Sequence, residues 1–175
     1  SPVTNVYYNN KDMGPGESTA VADGHIAFLK RASKDEYLSD FHMIYDGKNM
    51  GSTGLKKHQT ILLDNDHIAF IKKTNEDYHI IYDGQDLGTG EFSTTAGVLS
   101  LNKVILKDNH IVFLRENKNP YFRYIIYDGK NLGRGNDPVI EGDHLAYIRH
   151  DGVNPHFIYD GKDMGELCSN NNDFY

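Results

Sequence analysis

Apolar and polar positions along this chain fall into short runs, and two of the runs recur. His25-Ile26-Ala27-Phe28-Leu29-Lys30 returns as His67-Ile68-Ala69-Phe70-Ile71-Lys72, as His110-Ile111-Val112-Phe113-Leu114-Arg115 and as His144-Leu145-Ala146-Tyr147-Ile148-Arg149. Each copy is entered through Asp-Gly, Asn-Asp, Asp-Asn or Gly-Asp. Those pairs accept positive φ cheaply, so each entry predicts a tight hairpin turn. The second run is Tyr45-Asp46-Gly47-Lys48-Asn49-Met50-Gly51, repeated from Tyr82, Tyr127 and Tyr159, with a degenerate copy at Tyr8-Asn9-Asn10-Lys11-Asp12-Met13-Gly14. The two motifs alternate in a fixed order four times, which marks an internal repeat.

Each repeat predicts four strands. The first is a short apolar run before the turn, as in Gln59–Leu63, Lys103–Leu106 and Pro138–Ile140. The histidine motif is the second strand. The third leads into the tyrosine, as in Phe41–Tyr45, Tyr78–Tyr82 and Tyr121–Tyr127, and Asp-Gly-Lys turns the chain into a short fourth. No segment sustains an apolar period of 3.6 residues over three turns, so essentially no helix is expected. Tandem four-stranded antiparallel meanders of this size predict an all-β chain, a small β-propeller forming a single domain over residues 1–175. There are four copies of strands one and two but five of the three–four hairpin. Five blades fit that count if the tail from Gly165 to Tyr175 adds a strand to the orphan hairpin. The alternatives are four blades, or an incomplete ring shared with a partner chain.

The order Asp23-Gly24-His25-Ile26-Ala27-Phe28, then Met43-Ile44-Tyr45-Asp46-Gly47, resembles the blades of TolB-type and WD-like propeller repeats. The likeness runs from about Val6 to Gly165. Val21-Ala22 stand where that family carries Ser-Pro, and the chain has no Trp. The resemblance implies blade architecture and, together with the Ser1-Pro2 start, an extracytoplasmic (periplasmic or secreted) location.

Composition narrows the function classes. Net charge is −7 over 175 residues, against the basic surface that non-specific nucleic-acid binding requires. No apolar run is long enough for a membrane-spanning helix. Cys168 is the single cysteine, so no disulfide forms within the chain. There is no Gly-x-Ser-x-Gly elbow, no metalloprotease helix and no phosphate-cradling glycine loop. The equivalent histidines His25, His67, His110 and His144 sit at turn edges, too far apart for one ion, and Asp160, Asp163 and Glu166 form an ordinary turn. No metal, cofactor or catalytic residue is assigned.

In such a meander the one–two and three–four turns share one end of the sheets, here uniform. The two–three loops (Arg31–Asp40, Lys73–Asp77, Glu116–Pro120, His150–Pro155) and the connections (Gly51–His58, Thr89–Asn102, Arg134–Asp137) share the other, and they vary. Diverse loops on a uniform scaffold are where recognition chemistry concentrates. Candidate ligand-binding residues are therefore Arg31, Asp40, Glu91, Phe92, Tyr121, Phe122, Arg123 and His150. The expected function is a non-catalytic recognition or scaffold module for a protein or glycan. Two alternatives are a polysaccharide-active hydrolase or lyase using Asp40, Glu91 and Asp137, and a structural repeat piece of a larger assembly.

Overall fold

The computed structural model describes residues 4–32, 40–55, 58–75, 77–95, 98–101, 103–116, 122–150, 152 and 154–167. Those residues are all-β, with no helix among them. An N-terminal hairpin comes first, β1 (Asn5–Tyr8) with β2 (Lys11–Pro15). The first sheet is β3 (Glu17–Ala22), β4 (His25–Arg31), β5 (Phe41–Tyr45) and β6 (Lys48–Ser52), each antiparallel to the next. The second repeats this with β7 (Leu62–Asp64), β8 (His67–Thr74), β9 (Asp77–Tyr82) and β10 (Gln85–Thr89). A small hairpin, β11 (Ser93–Thr95) with β12 (Val98–Ser100), follows. The third sheet is β13 (Val104–Lys107), β14 (His110–Glu116), β15 (Arg123–Tyr127) and β16 (Lys130–Glu141). The second half of β16 opens the fourth sheet, with β17 (His144–Arg149), β18 (His156–Tyr159) and β19 (Lys162–Glu166).

The apolar core lies between consecutive sheets. Strand residues alternate in direction, so each of the first three histidine motifs sends its side chains to two different neighbours. Val6 of the hairpin meets Ile26, Phe28 and Ile44 of the first sheet. Ala27, Leu29 and Met43, on the opposite face of that sheet, meet Ile68, Phe70 and Ile81 of the second. Ala69, Ile71 and Ile80 then meet Ile111, Phe113 and Ile126 of the third. Val112, Leu114 and Ile125 meet Leu145, Tyr147 and Ile158 of the fourth. A lone four-stranded meander has two apolar faces and needs a neighbour on each, at about 1.5–3 kcal/mol per large side chain buried.

The fourth strands carry a repeated irregularity. Gly14, Gly51, Gly88, Gly133 and Gly165 each have positive φ, and each donates its N–H to the side chain two residues before it (Asp12, Asn49, Asp86, Asn131, Asp163) at 2.7–2.9 Å. A bulge at this point shifts the register in every three–four pair. A further glycine stands two or three residues on, where the chain crosses to the next sheet. A Cβ at Gly16 would lie 2.4 Å from Phe28, at Gly90 2.6 Å from Ile80, and at Gly54 and Gly135 2.6 Å from the carbonyl oxygens of Lys73 and Ile148.

Several connections differ from expectation. Lys73–Asp77 is not an open loop: β8 and β9 stay paired to Thr74↔Asp77 around a left-handed Asn75. Arg134–Asp137 lies inside the continuous strand β16 rather than in a connection. The 89–102 connection contains β11 and β12, and its Leu99 bridges to Gln59. Leu167 donates its N–H to Pro155 of its own sheet, and the tail from 168 onward, with Cys168, falls outside the described residues. No described helix is long and apolar enough to cross a membrane.

Candidate functional site

The sheets have two ends, and their chemistry differs. At the end with the tight turns, the aspartate of each tyrosine motif makes the same set of contacts. His25 Nδ1 donates to Asp46 at 2.5 Å, and the N–H of Ile26 donates to the other carboxylate oxygen at 2.9 Å. The N–H of Asp46 returns to the Ile26 carbonyl at 2.9 Å. The same pattern holds for His67 with Asp83, His110 with Asp128 and His144 with Asp160. Each imidazole also lies against the ring of the tyrosine just before that aspartate, Tyr45, Tyr82, Tyr127 and Tyr159, with centroids 5.2–5.7 Å apart. The carboxylate thus ties the third strand to the start of the second through one charge-assisted and one backbone bond.

This end is also laced from sheet to sheet. Asp23 accepts from the N–H of Asn65 at 3.1 Å, Asp64 from Asn109 at 2.9 Å, and Asp108 from Gly142 at 2.8 Å. Lys107 bonds Glu141, and the Tyr82 hydroxyl donates to the Asn109 carbonyl at 3.0 Å. Burial, aided by nearby Asp83, pushes the Tyr82 phenol up to about 12, so it remains a donor across the working range. His25 Nε2 reaches Asp66 of the second sheet at 2.8 Å, and His110 Nε2 reaches Asp143 of the fourth at 3.5 Å. The hydrogen bond to Asp46 raises the His25 pKa, and that to Asp128 raises His110, each against some desolvation. The four histidines therefore meet six carboxylates, and no carboxylate is shared by two of them. Among the described residues, no group of three His, Cys, Asp or Glu is placed to hold a metal ion.

At the loop end the groups change from junction to junction. On the first sheet, Arg31 pairs with Glu17 at 3.0 Å and lies over the Phe41 ring at 4.8 Å. His58 Nε2 approaches the other Glu17 oxygen at 3.2 Å, while its Nδ1 meets Ser18. Asp40 accepts from Ser52 at 3.3 Å. Between the second and third sheets, the partly buried Glu91 meets Lys103 at 3.1 Å and accepts from Arg123 Nη2 at 3.2 Å. Phe92 stands edge-on to Tyr78 at 6.0 Å. Between the third and fourth, the Arg134 guanidinium covers the Phe122 ring at 3.7 Å, His150 donates its N–H to the Arg134 carbonyl, and its ring meets Asn136 at 3.4 Å.

The candidate residues thus fall into three groups. Arg31 and Asp40 belong to the first, Glu91, Phe92 and Arg123 to the second, and Phe122 and His150 to the third; Tyr121 lies outside the described residues. The adjacent Phe122 and Arg123 part company: Phe122, just before β15, lies under Arg134, while Arg123, the first residue of β15, reaches Glu91. Asp40, Glu91 and Asp137 stand in different sheets or junctions. Glu166 accepts from the side-chain amide of Asn154 at 3.0 Å. Sequence reasoning missed Glu17, His58, Lys103, Arg134 and Asn136. For Glu17 a signal existed: Gly14-Pro15-Gly16-Glu17 matches Gly88-Thr89-Gly90-Glu91. No family model, curated relative or solved structure matches this chain.

Proposed function

We propose that the chain is an arc of a small β-propeller, TolB-like in blade pattern, that acts as a non-catalytic recognition module and takes a protein or glycan on its loop end. The supporting observation is the contrast between the two ends. The turn end uses the same aspartate, histidine and tyrosine for the same contacts in every sheet. The loop end places a different mix of guanidinium, carboxylate and aromatic groups at each junction. Arginine held over an aromatic ring presents a flat, partly apolar surface with donors at its rim. That chemistry suits sugar stacking and protein hot spots alike. The four sheets and the hairpin, packed in chain order with the core between neighbours, support the blade interpretation.

A printed glycan array and a displayed peptide library are the probes. Phe122→Ala with Arg134→Ala, and separately Arg31→Ala with His58→Ala, are expected to weaken any binder at least about tenfold, or about 1.4 kcal/mol. The turn-end variant Lys48→Ala is expected to bind normally. Binding that survives both loop-end pairs, or no binder in either library, would refute the proposal.

A further inference from the structure

The third sheet departs from the repeat at one pair of positions on the loop end. Five residues before the tyrosine of each motif stand Asp40, Asp77, Phe122 and Asn154. The fourth-strand residue just past the repeated glycine is Ser52, Thr89, Arg134 and Glu166 in turn. The register is the same each time: Ser52↔His42, Thr89↔His79, Arg134↔Tyr124 and Glu166↔His156. Ser52 donates to Asp40 at 3.3 Å and Asn154 to Glu166 at 3.0 Å, so the two positions meet across the strands. In three sheets this pair carries one carboxylate and no cation; in the third it carries a guanidinium and no carboxylate. The backbone does not call for the exchange, since Ser, Thr and Glu serve at the same register elsewhere.

Arg134 also differs from the other arginines. Arg31 pairs with Glu17, Arg123 with Glu91 and Arg149 with Asp163, while Arg115 donates to the Leu87 and Thr89 carbonyls. Arg134 lies over the Phe122 ring at 3.7 Å, and among the described residues no carboxylate stands within ion-pairing distance of it. A guanidinium stays charged in a protein, and holding one partly out of water without a counter-ion is unfavourable. The stack fixes its plane and leaves the N–H groups of its rim without an acceptor among the described residues. Two further donors stand beside it. His150 is tied to the Arg134 carbonyl by its N–H at 3.1 Å. Asn136 Nδ2 donates to His150 Nε2 at 3.4 Å, which leaves the ring proton on Nδ1.

We propose that Phe122, Arg134, Asn136 and His150 form a carboxylate-binding subsite, where the loop end takes an Asp or Glu side chain of an acidic segment of a partner protein. A planar carboxylate matches the guanidinium rim with two parallel hydrogen bonds. The Phe122 ring already carries the guanidinium, so it holds the cation in place instead of stacking a sugar. The chain as a whole carries a net charge of −7, so an acidic partner is accepted at this junction and repelled elsewhere. The inference rests on the recognition function proposed for the loop end and narrows its ligand.

Panning a displayed random peptide library on the full chain tests it, with a glycan array that includes polygalacturonate alongside. Bound peptides are expected to be enriched in Asp and Glu. Phe122→Asp with Arg134→Ser, and separately Arg134→Gln, are expected to weaken them at least about tenfold. The double exchange installs the pair that the first sheet already holds, and its urea midpoint checks that the fold is intact; Arg134→Gln removes the charge alone. Bound peptides without acidic enrichment, or acidic peptides that bind both variants undiminished, overturn the proposal. So does capture of polygalacturonate, in place of peptides, that is lost in Arg134→Gln. Binders lost in Arg31→Ala with His58→Ala but kept in Arg134→Gln sink this subsite and leave loop-end recognition standing. No binder in either library sinks both.

Discussion

The turn end and the loop end are built from the same strands, yet they use polar side chains in opposite ways. At the turn end His25, His67, His110 and His144 each bond an aspartate that also accepts a backbone N–H. At the loop end Glu17 draws Arg31 and His58, Glu91 draws Lys103 and Arg123, and Arg134 instead covers a ring. A tight left-handed turn has few solutions, so drift is suppressed where the backbone is most constrained. Where two sheets meet through connections of unequal length, each junction carries its own set of charged and aromatic groups.

The largest effect should come from the turn end. Asp128→Ala leaves the N–H of Ile111, a fully buried residue, without its side-chain acceptor and His110 Nδ1 without its carboxylate. The expected loss is about 1–3 kcal/mol of unfolding free energy, measured by urea denaturation. Asp46→Ala and Asp83→Ala should fall within about 1 kcal/mol of it, since their contacts are the same in kind. If one aspartate proves costly and the others free, the repeated geometry is not a repeated energetic device.

How much of this was visible in the sequence follows from the same contrast. The hairpin turns and the second and third strands were legible because Asp-Gly pairs and the His-x-Ala-x motif encode local backbone conformation. The second glycine at Gly16, Gly54, Gly90 and Gly135 was not singled out, because its spacing from the first varies and its role is steric contact with a neighbouring sheet. The continuous strand β16 was hidden by Pro138, which precedes the paired residue Val139, and by the bulge between Asn136 and Val139. The loop-end groups join residues as far apart as Glu17 and His58. No local pattern announces such a pairing. The division of the loop-end residues into three groups was not legible.

The next effect separates the ends by pH. His25 and His110 are held above the ordinary imidazole value of 6.5, first by hydrogen bonds to Asp46 and Asp128. A raised folded pKa means that their stabilisation is complete below the unfolded value and is lost as pH rises through the folded one. Asp160 is lowered from 3.8, first by the Leu145 N–H and then by His144, so its contribution disappears as pH falls through its folded value. Thermal midpoints should therefore be higher near pH 6 than near pH 8 and fall again in acid. His25→Gln with His110→Gln should flatten the neutral limb, and a limb that survives would place the titration elsewhere.

The smallest effect on stability belongs to the loop end, and there the comparison is sharpest. Phe122 is half-buried, and its contact with Arg134 joins a strand start to the middle of β16. Truncating Arg134 to Ala removes a cation–π contact worth about 0.5–1 kcal/mol at an exposed site, while the backbone of β16 keeps its pairing with β15 and β17. The urea midpoint should move less than for any turn-end aspartate. A loss as large as that of Asp128→Ala would show that the guanidinium helps hold the third and fourth sheets together. In that case the variety at this end would reflect three separate structural solutions, and its tie to recognition would fail.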